Sequence, residues 1–429
     1  MLSADVVVVG AGVIGAACAY ALRRAGLRVL VLERGAPASG TTAAGEGNVL
    51  VSDKAPGPEL ALALESRRLW PGVLAELGAA ELARRGAGAG NAGGGVDAAG
   101  SLRGPSRFPG ASGPSLVGGV AAPGEVGSGA RGDAALLAEL AGVEWEAKGG
   151  LTVATRDPEP LFEFAAAQRA AGVDARVVED PWELEPHLTR RVTGAVHYPE
   201  DAQVQPVLVA TALLRGIPVR SGVTALGLVP GGVRTSEGVI RCDLVVNACG
   251  PWAGEFAAAV GAPIRVLPRR GMVLVTGPLP EVVRHKVYDG DYVGAVASGD
   301  AGLQTSAVVE STRGGTVLIG SSRERVGFDE SLRVRVLREL AVKAMALFPV
   351  LGDVPVMRAY GGFRPYAPDH LPIIGADPRV PGLWHATGHE GAGIGLAPAT
   401  GELLADLVSG RSPRVDPRPF RVDRAAVLG

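Results

Sequence analysis

Asp5-Val-Val-Val-Val-Gly10-Ala-Gly12-Val-Ile-Gly15 runs four consecutive valines into three glycines spaced G-x-G-x-x-G. A short apolar run that stops at glycine has the pattern of a strand buried on both faces of a parallel sheet. Val13 to Ala25 then reads as a helix of small residues stopped by Gly26, and Arg28 to Leu32 as a second strand. The stretch therefore predicts a βαβ unit and an α/β architecture. Within it Gly10 can make the tight turn, Gly12 lets backbone approach a pyrophosphate, and Gly15 allows close helix–strand packing. Ala11, Val13 and Ile14 complete a turn whose amides would meet phosphate at the helix N-terminus. Glu33, with Arg34 beside it, ends the second strand, where a carboxylate accepts both hydroxyls of an adenosine ribose. Dinucleotide binding is the expectation; a Gly-rich turn in an α/β protein without such a ligand is the alternative.

That motif does not separate FAD from NAD, so the rest of the chain has to. Gly40-Thr-Thr-Ala-Ala-Gly-Glu-Gly-Asn48 offers hydroxyls and open backbone N–H groups soon after the ribose acid, with Thr41, Thr42, Gly45, Glu46, Gly47 and Asn48 as candidate contacts. Val245-Val-Asn-Ala-Cys-Gly-Pro-Trp252 is a buried strand ending in small residues, so Ala248, Gly250 and Trp252 could lie against a ligand, and Val223 is a further candidate. Gly388-His-Glu-Gly-Ala-Gly-Ile-Gly-Leu-Ala-Pro-Ala-Thr-Gly401 leads glycines into a second helix N-terminus, with Gly388, Glu390, Gly391, Ala392, Gly393 and Ile394 as candidates. A reduced flavin becomes anionic along its N1–C2=O edge, which N–H donors and a helix dipole stabilise. An NAD enzyme has no need of that second turn. FAD is therefore the expected cofactor.

The 429 residues suit two interleaved domains sharing one ligand. A formal charge of −2 gives no field to attract nucleic acid or an anionic membrane. Cys18, Cys242 and Cys249 lack the spacing of a zinc, iron–sulfur or redox site, so no metal is expected and all three read as buried thiols in a reducing compartment. The apolar run Val6 to Val9 is too short to span a bilayer, so the default expectation is cytoplasmic. Gly 63 and Pro 32 are in excess, and the excess is local: residues 80–140 form a Gly/Ala-rich insertion unable to bury enough surface to order itself. Strand-like runs without intervening long helices, at Met272 to Thr276, Val293 to Val296, Ala307 to Glu310 and Val317 to Ile319, suggest a mainly antiparallel sheet. The expected organisation is a discontinuous Rossmann-like FAD-binding domain over 1–80, 140–160, 200–260 and 355–429. It is interleaved with a mainly antiparallel-sheet substrate domain over 161–199 and 261–354.

These blocks, with Val51-Ser-Asp-Lys54, His197-Tyr-Pro-Glu-Asp-Ala-Gln-Val-Gln-Pro206, Gly320-Ser-Ser-Arg323 and Gly361-Gly-Phe-Arg-Pro-Tyr-Ala-Pro-Asp-His-Leu-Pro-Ile-Ile-Gly375, resemble the D-amino-acid oxidase superfamily of FAD-dependent oxidoreductases. Within it the likeness is to D-hydroxyproline dehydrogenase, to the β subunits of sarcosine, proline and opine dehydrogenases, and to glycine oxidase. It extends over nearly all the chain except 80–140, which such proteins generally lack. The resemblance implies oxidation of a D-amino acid or of a hydroxyproline- or sarcosine-like secondary amine to an imine, by hydride transfer to flavin N5. Members with covalent flavin use a cysteine in the C-terminal part; Cys249 is the last here, so non-covalent FAD is implied. The motif's arginine for substrate carboxylate falls on Arg364, the alternative being an arginine that ties its loop to Asp369. Tyr288 and Tyr292 are candidates for lining the pocket or, equally, for a sheet surface. His389 reads as a loop residue bonded to backbone, His197 is ambiguous, and Lys54 reads as a surface lysine. The electron acceptor could be oxygen, a quinone or a protein. Because the cysteines cannot hold an iron–sulfur cluster, a catalytic β subunit in a heteromeric complex is a competing expectation; an NAD-dependent dehydrogenase is a weaker one.

Overall fold

The computed structural model describes residues 3–90, 139–290, 292–294 and 298–428. The valine run forms strand Val6–Val9, buried along its whole length, in the middle of a six-stranded sheet. It pairs in parallel with Val29–Glu33 on one side and Leu244–Asn247 on the other. Val219–Ser221 extends the first side; Leu383–Thr387 and an antiparallel Ile373–Ala376 extend the second. Chain order reverses at Val6–Val9, and a crevice opens beyond strand ends at such a switch point. Helix Val13–Arg24 packs on this sheet and against helix Gly393–Val408. The approach of the two helices depends on small residues: a Cβ on Gly401 would stand 2.5 Å from the Ala17 carbonyl oxygen.

The second sheet has eight strands, in the order Val356–Tyr366, Leu267–Thr276, Val317–Arg323, Gln304–Ser311, Lys286–Asp289, Gly150–Ala154, Gly194–Tyr198 and Arg176–Val178. It is antiparallel except where Lys286–Asp289 runs parallel to Gly150–Ala154. Helix Val334–Leu347 covers it with Val336, Leu340, Ala344 and Leu347, the three- and four-residue spacing of one helical face. Dividing the chain by sheet, we propose that 150–154 and 356–366 go with the substrate part, whereas the sequence pattern set them with the cofactor part.

Several elements depart from expectation. A helix runs from Pro58 to Gly90, well into the Gly/Ala-rich insertion; most of the remainder of the insertion, 91–138, lies outside the described residues. Its Ser66 hydroxyl (2.5 Å) and Trp70 indole N–H (3.3 Å) donate to the Gly395 carbonyl, tying it to the C-terminal helix. Residues 292–294 are helical where a strand over Val293 to Val296 was expected, because the paired ladder ends at Asp289. Among the thiols Cys18 and Cys242 are buried, but Cys249 is only half-buried.

Candidate active site

A cavity of about 610 Å³ starts at the ends of Val6–Val9 and Val29–Glu33 and runs to the face of the large sheet. At its first end each glycine of the opening motif meets a different neighbour. Gly10 has φ +108°, and a Cβ there would lie 2.4 Å from the Ala248 carbonyl oxygen; a Cβ on Gly15 would lie 1.9 Å from that of Gly10. A Cβ on Gly12 would meet only the Thr42 hydroxyl, at 3.3 Å. Gly10 and Gly15 thus serve packing, whereas Gly12 leaves room for a ligand. Glu33 accepts from Ala11 N–H at 2.9 Å and Gly35 N–H at 2.8 Å, holding the turn in shape. Thr42 Oγ1 accepts from Val13 N–H at 3.0 Å. The Arg34 guanidinium lies 4.3 Å over the Trp252 ring, which stacks on Phe328.

Further along, helix Gly393–Val408 presents its N-terminus with no side-chain cap, so its first amides are open to an acceptor. Of the residues singled out from sequence, the cavity brings together Gly10, Gly12, Val13, Ile14, Glu33, Arg34, Thr41, Thr42, Gly45, Glu46, Val223, Ala248, Gly250, Trp252, Tyr292, Arg364, Glu390, Gly391, Gly393 and Ile394. The others stand behind its wall. Ala11, Gly15 and Ala392 support the two helix starts, and Gly388 turns with φ +79°. Gly47 packs on the Val204 carbonyl, and Asn48 faces Glu46 and Lys286. Tyr288 is fully buried beside Tyr292, and its hydroxyl has no partner among the described residues.

Arg364 lies on Val356–Tyr366 in register with Arg269, and its guanidinium covers Gly271, where a Cβ would come within 2.2 Å of Nη1. It donates to the Ser322 carbonyl at 2.8 Å. Asp369 instead pairs with Arg424 at 2.8 Å, which removes the loop-tying alternative. Among the described residues no carboxylate lies within ion-pair distance of Arg364. Burial, and then the nearby charge of Arg323, push it down to about 10.

Three further expectations change. Lys54 is buried rather than on the surface, paired with Asp53 at 2.6 Å. His389 lines the cavity and bonds the Thr400 hydroxyl at 3.0 Å rather than backbone. His197 is half-buried, edge-on to His285. Lys286 and Glu310, both buried next to Glu46, went unnoticed in the sequence, since neither sits in a motif whose spacing would mark it.

Burial alone pushes His389 down to about 3, so folded protein keeps it neutral. The unfolded chain protonates it below its ordinary 6.5, and stability is therefore lost as pH falls from 6.5 towards 3. Two units of acidification below 6.5 are expected to cost roughly 2–3 kcal/mol through this group. Calorimetry at pH 4.5 and 7.5 should show a smaller acid loss for His389→Gln than for wild type; equal losses would remove His389 as the cause.

The family described as FAD dependent oxidoreductase matches residues 5–89 and 110–407, and the chain belongs to it. FAD is the cofactor and is not covalently bound. Cys249 lines the cavity near Glu33, and burial raises its thiol to about 12. The glycine oxidase of Pseudomonas aeruginosa is 35% identical over 189 residues, 44% of this chain and 48% of that protein, so the chain spans about half of that relative's length. That of Geobacillus kaustophilus is 27% identical over 440 residues, covering 98% and 97% of the two chains. Its crystal structure superposes with a TM-score of 0.76 at 25% identity over 99% of each chain. Among the described residues, no helix is long and apolar enough to cross a membrane.

Proposed function

We propose that the protein oxidises the C–N bond of an amino acid or secondary amine, a D-amino acid or a hydroxyproline- or sarcosine-like compound, to an imine that water hydrolyses. The observation that carries this is Arg364, a half-buried guanidinium with no carboxylate partner among the described residues, in the same cavity as the glycine turn of the opening βαβ unit. FAD in that cavity would supply the two-electron acceptor, taking the hydride at N5. Glu33 and the space left at Gly12 would hold its adenosine and pyrophosphate, and the open amides of Gly391, Gly393 and Ile394 the flavin. Arg364 would grip the substrate carboxylate through two parallel hydrogen bonds, which orients the Cα–H bond. Tyr292 walls the same space.

Relatives named glycine oxidase support an amino-acid substrate. A second reading, a catalytic subunit of a heteromeric dehydrogenase, draws on a relative named hydrogen cyanide synthase subunit HcnC from Pseudomonas protegens, 30% identical over 254 residues. Anaerobic titration of the yellow protein with glycine, sarcosine, D-proline and 4-hydroxy-D-proline separates them. Bleaching that reverses at once in air supports an oxidase. Bleaching that persists supports a dehydrogenase awaiting a partner, and no bleaching with any amino acid overturns the substrate class.

A further inference from the structure

Behind Glu46 two more ionisable side chains are buried, Lys286 and Glu310, exposed by only 2% and 0%. Lys286 Nζ stands 3.1 Å from Glu310 Oε2, 3.6 Å from Glu46 Oε2 and 2.6 Å from Asn48 Oδ1. Asn48 donates to Glu46 Oε2 at 3.1 Å. One ammonium thus serves two carboxylates, and the remaining oxygen of each, Oε1 of Glu46 and Oε1 of Glu310, is buried without a hydrogen-bond partner. The strand opposite makes room for this: a Cβ on Gly320 would collide with Glu46 Oε1 at 2.3 Å. With both acids ionised the trio carries one surplus negative charge in a dry place, and taking up a single proton neutralises it. Burial, opposed by Lys286 and assisted by Glu46, lifts Glu310 to about 7. The other groups facing the trio are Arg364 and Tyr292 towards the cavity, and Tyr360 and Lys148 on the far side.

An amino acid or secondary amine arrives as an ammonium, whose nitrogen lone pair is tied up in an N–H bond. Until that proton leaves, no C=N bond can form. We propose that Glu46, backed by Lys286 and Glu310, accepts the proton that the substrate's ammonium must lose before its C–N bond is oxidised. This rests on the function proposed above. The N–H bond breaks as an O–H bond forms on Glu46, and the trio goes from one surplus negative charge to none. The freed lone pair makes C=N as the Cα–H leaves with its electron pair to FAD. Water then converts the iminium to a carbonyl compound and an ammonium, and Glu46 returns its proton to solvent as product departs. Glu46 is the catalytic residue; Lys286 and Glu310 are positioning residues that set its appetite for a proton.

The test joins kinetics to a readout that needs no oxidation. Flavin reduction by the best amino acid is followed by stopped flow from pH 5.5 to 9.5 and should show an acid limb in wild type. Glu310→Gln, a neutral isostere, should move that limb down by at least about one pH unit, since the surplus charge is gone. Glu46→Gln should lose the limb, reduce about 100-fold more slowly at pH 7.5, and speed up about tenfold per pH unit towards the amine's own pKa. Infrared difference spectra are then taken on binding 2-aminoisobutyrate, which has no Cα–H to give up. They should gain the carbonyl band of a protonated carboxyl group in wild type and not in Glu46→Gln. A Glu46→Gln enzyme that keeps the wild-type limb, or a wild type without the infrared band, overturns the proposal. Failure of every amino acid to bleach the flavin would instead overturn the substrate class, and the infrared arm keeps the two failures apart.

Discussion

Arg364→Met should raise KM for amino acids about 150- to 700-fold while leaving an amine without a carboxylate within a factor of a few. A buried, charge-assisted pair of hydrogen bonds to a carboxylate is worth ~3–4 kcal/mol when one partner is truncated, and each 1.4 kcal/mol is tenfold. Arg364→Lys keeps the charge but loses the planar fork, so an intermediate loss of about 10- to 100-fold is expected. The same substitutions should not harm the fold. The arginine is held down to about 10 because burial and Arg323 disfavour its charge, so removing that charge relieves the folded state. Stability at or above wild type, together with the selective KM rise, separates an anion-binding arginine from a structural one. Equal losses on substrates with and without carboxylate would sink the role. The pairing of Asp369 with Arg424 sharpens this expectation, because among the described residues the guanidinium of Arg364 is left with a single backbone carbonyl as its acceptor.

The readable and unreadable parts of the molecule differ in how local their physics is. The opening βαβ unit was legible because each glycine answers to a neighbour a few residues or one strand away. Strand Leu244–Asn247 was legible from its apolar run alone. Strand Val356–Tyr366 was not, since it carries two glycines, two arginines and a proline, and it exists because ten residues of Leu267–Thr276 pair with it. Helix Val334–Leu347 had a clear four-residue periodicity and could have been found from it. The charged trio is the opposite case. Glu46, Lys286 and Glu310 meet only because Lys286–Asp289 inserts between Gly150–Ala154 and Gln304–Ser311, a pairing that no local pattern announces. Lys54 misled for a related reason: its neighbour Asp53 neutralises it, and the fold then buries the pair.

Substitutions in the glycine turn test whether the cofactor site is built as its geometry implies, because two nearly adjacent glycines should fail in different ways. Gly15→Ala places a Cβ 1.9 Å from the Gly10 carbonyl oxygen, a backbone atom that cannot move without opening the turn. Overpacking at a strand–helix junction costs typically 1–3 kcal/mol, and a clash this close with backbone should exceed about 3 kcal/mol. The expected result is loss of thermal stability in apoprotein and holoprotein alike, or no soluble protein. Gly12→Ala meets only the Thr42 hydroxyl at 3.3 Å, so the apoprotein should melt within about 1 kcal/mol of wild type. Its methyl group nonetheless occupies the space where a pyrophosphate must approach the amides of the helix start. Purified Gly12→Ala should therefore be pale, with FAD affinity down at least about 100-fold, and added FAD should raise its melting temperature far less than it raises that of wild type. Gly12→Asp, which adds a negative charge to the same space, should abolish FAD binding while still folding. If Gly12→Ala kept its flavin, the phosphates would lie elsewhere along the cavity. If it unfolded like Gly15→Ala, Gly12 would serve packing after all, and the open face beside Thr42 would not be where the cofactor enters.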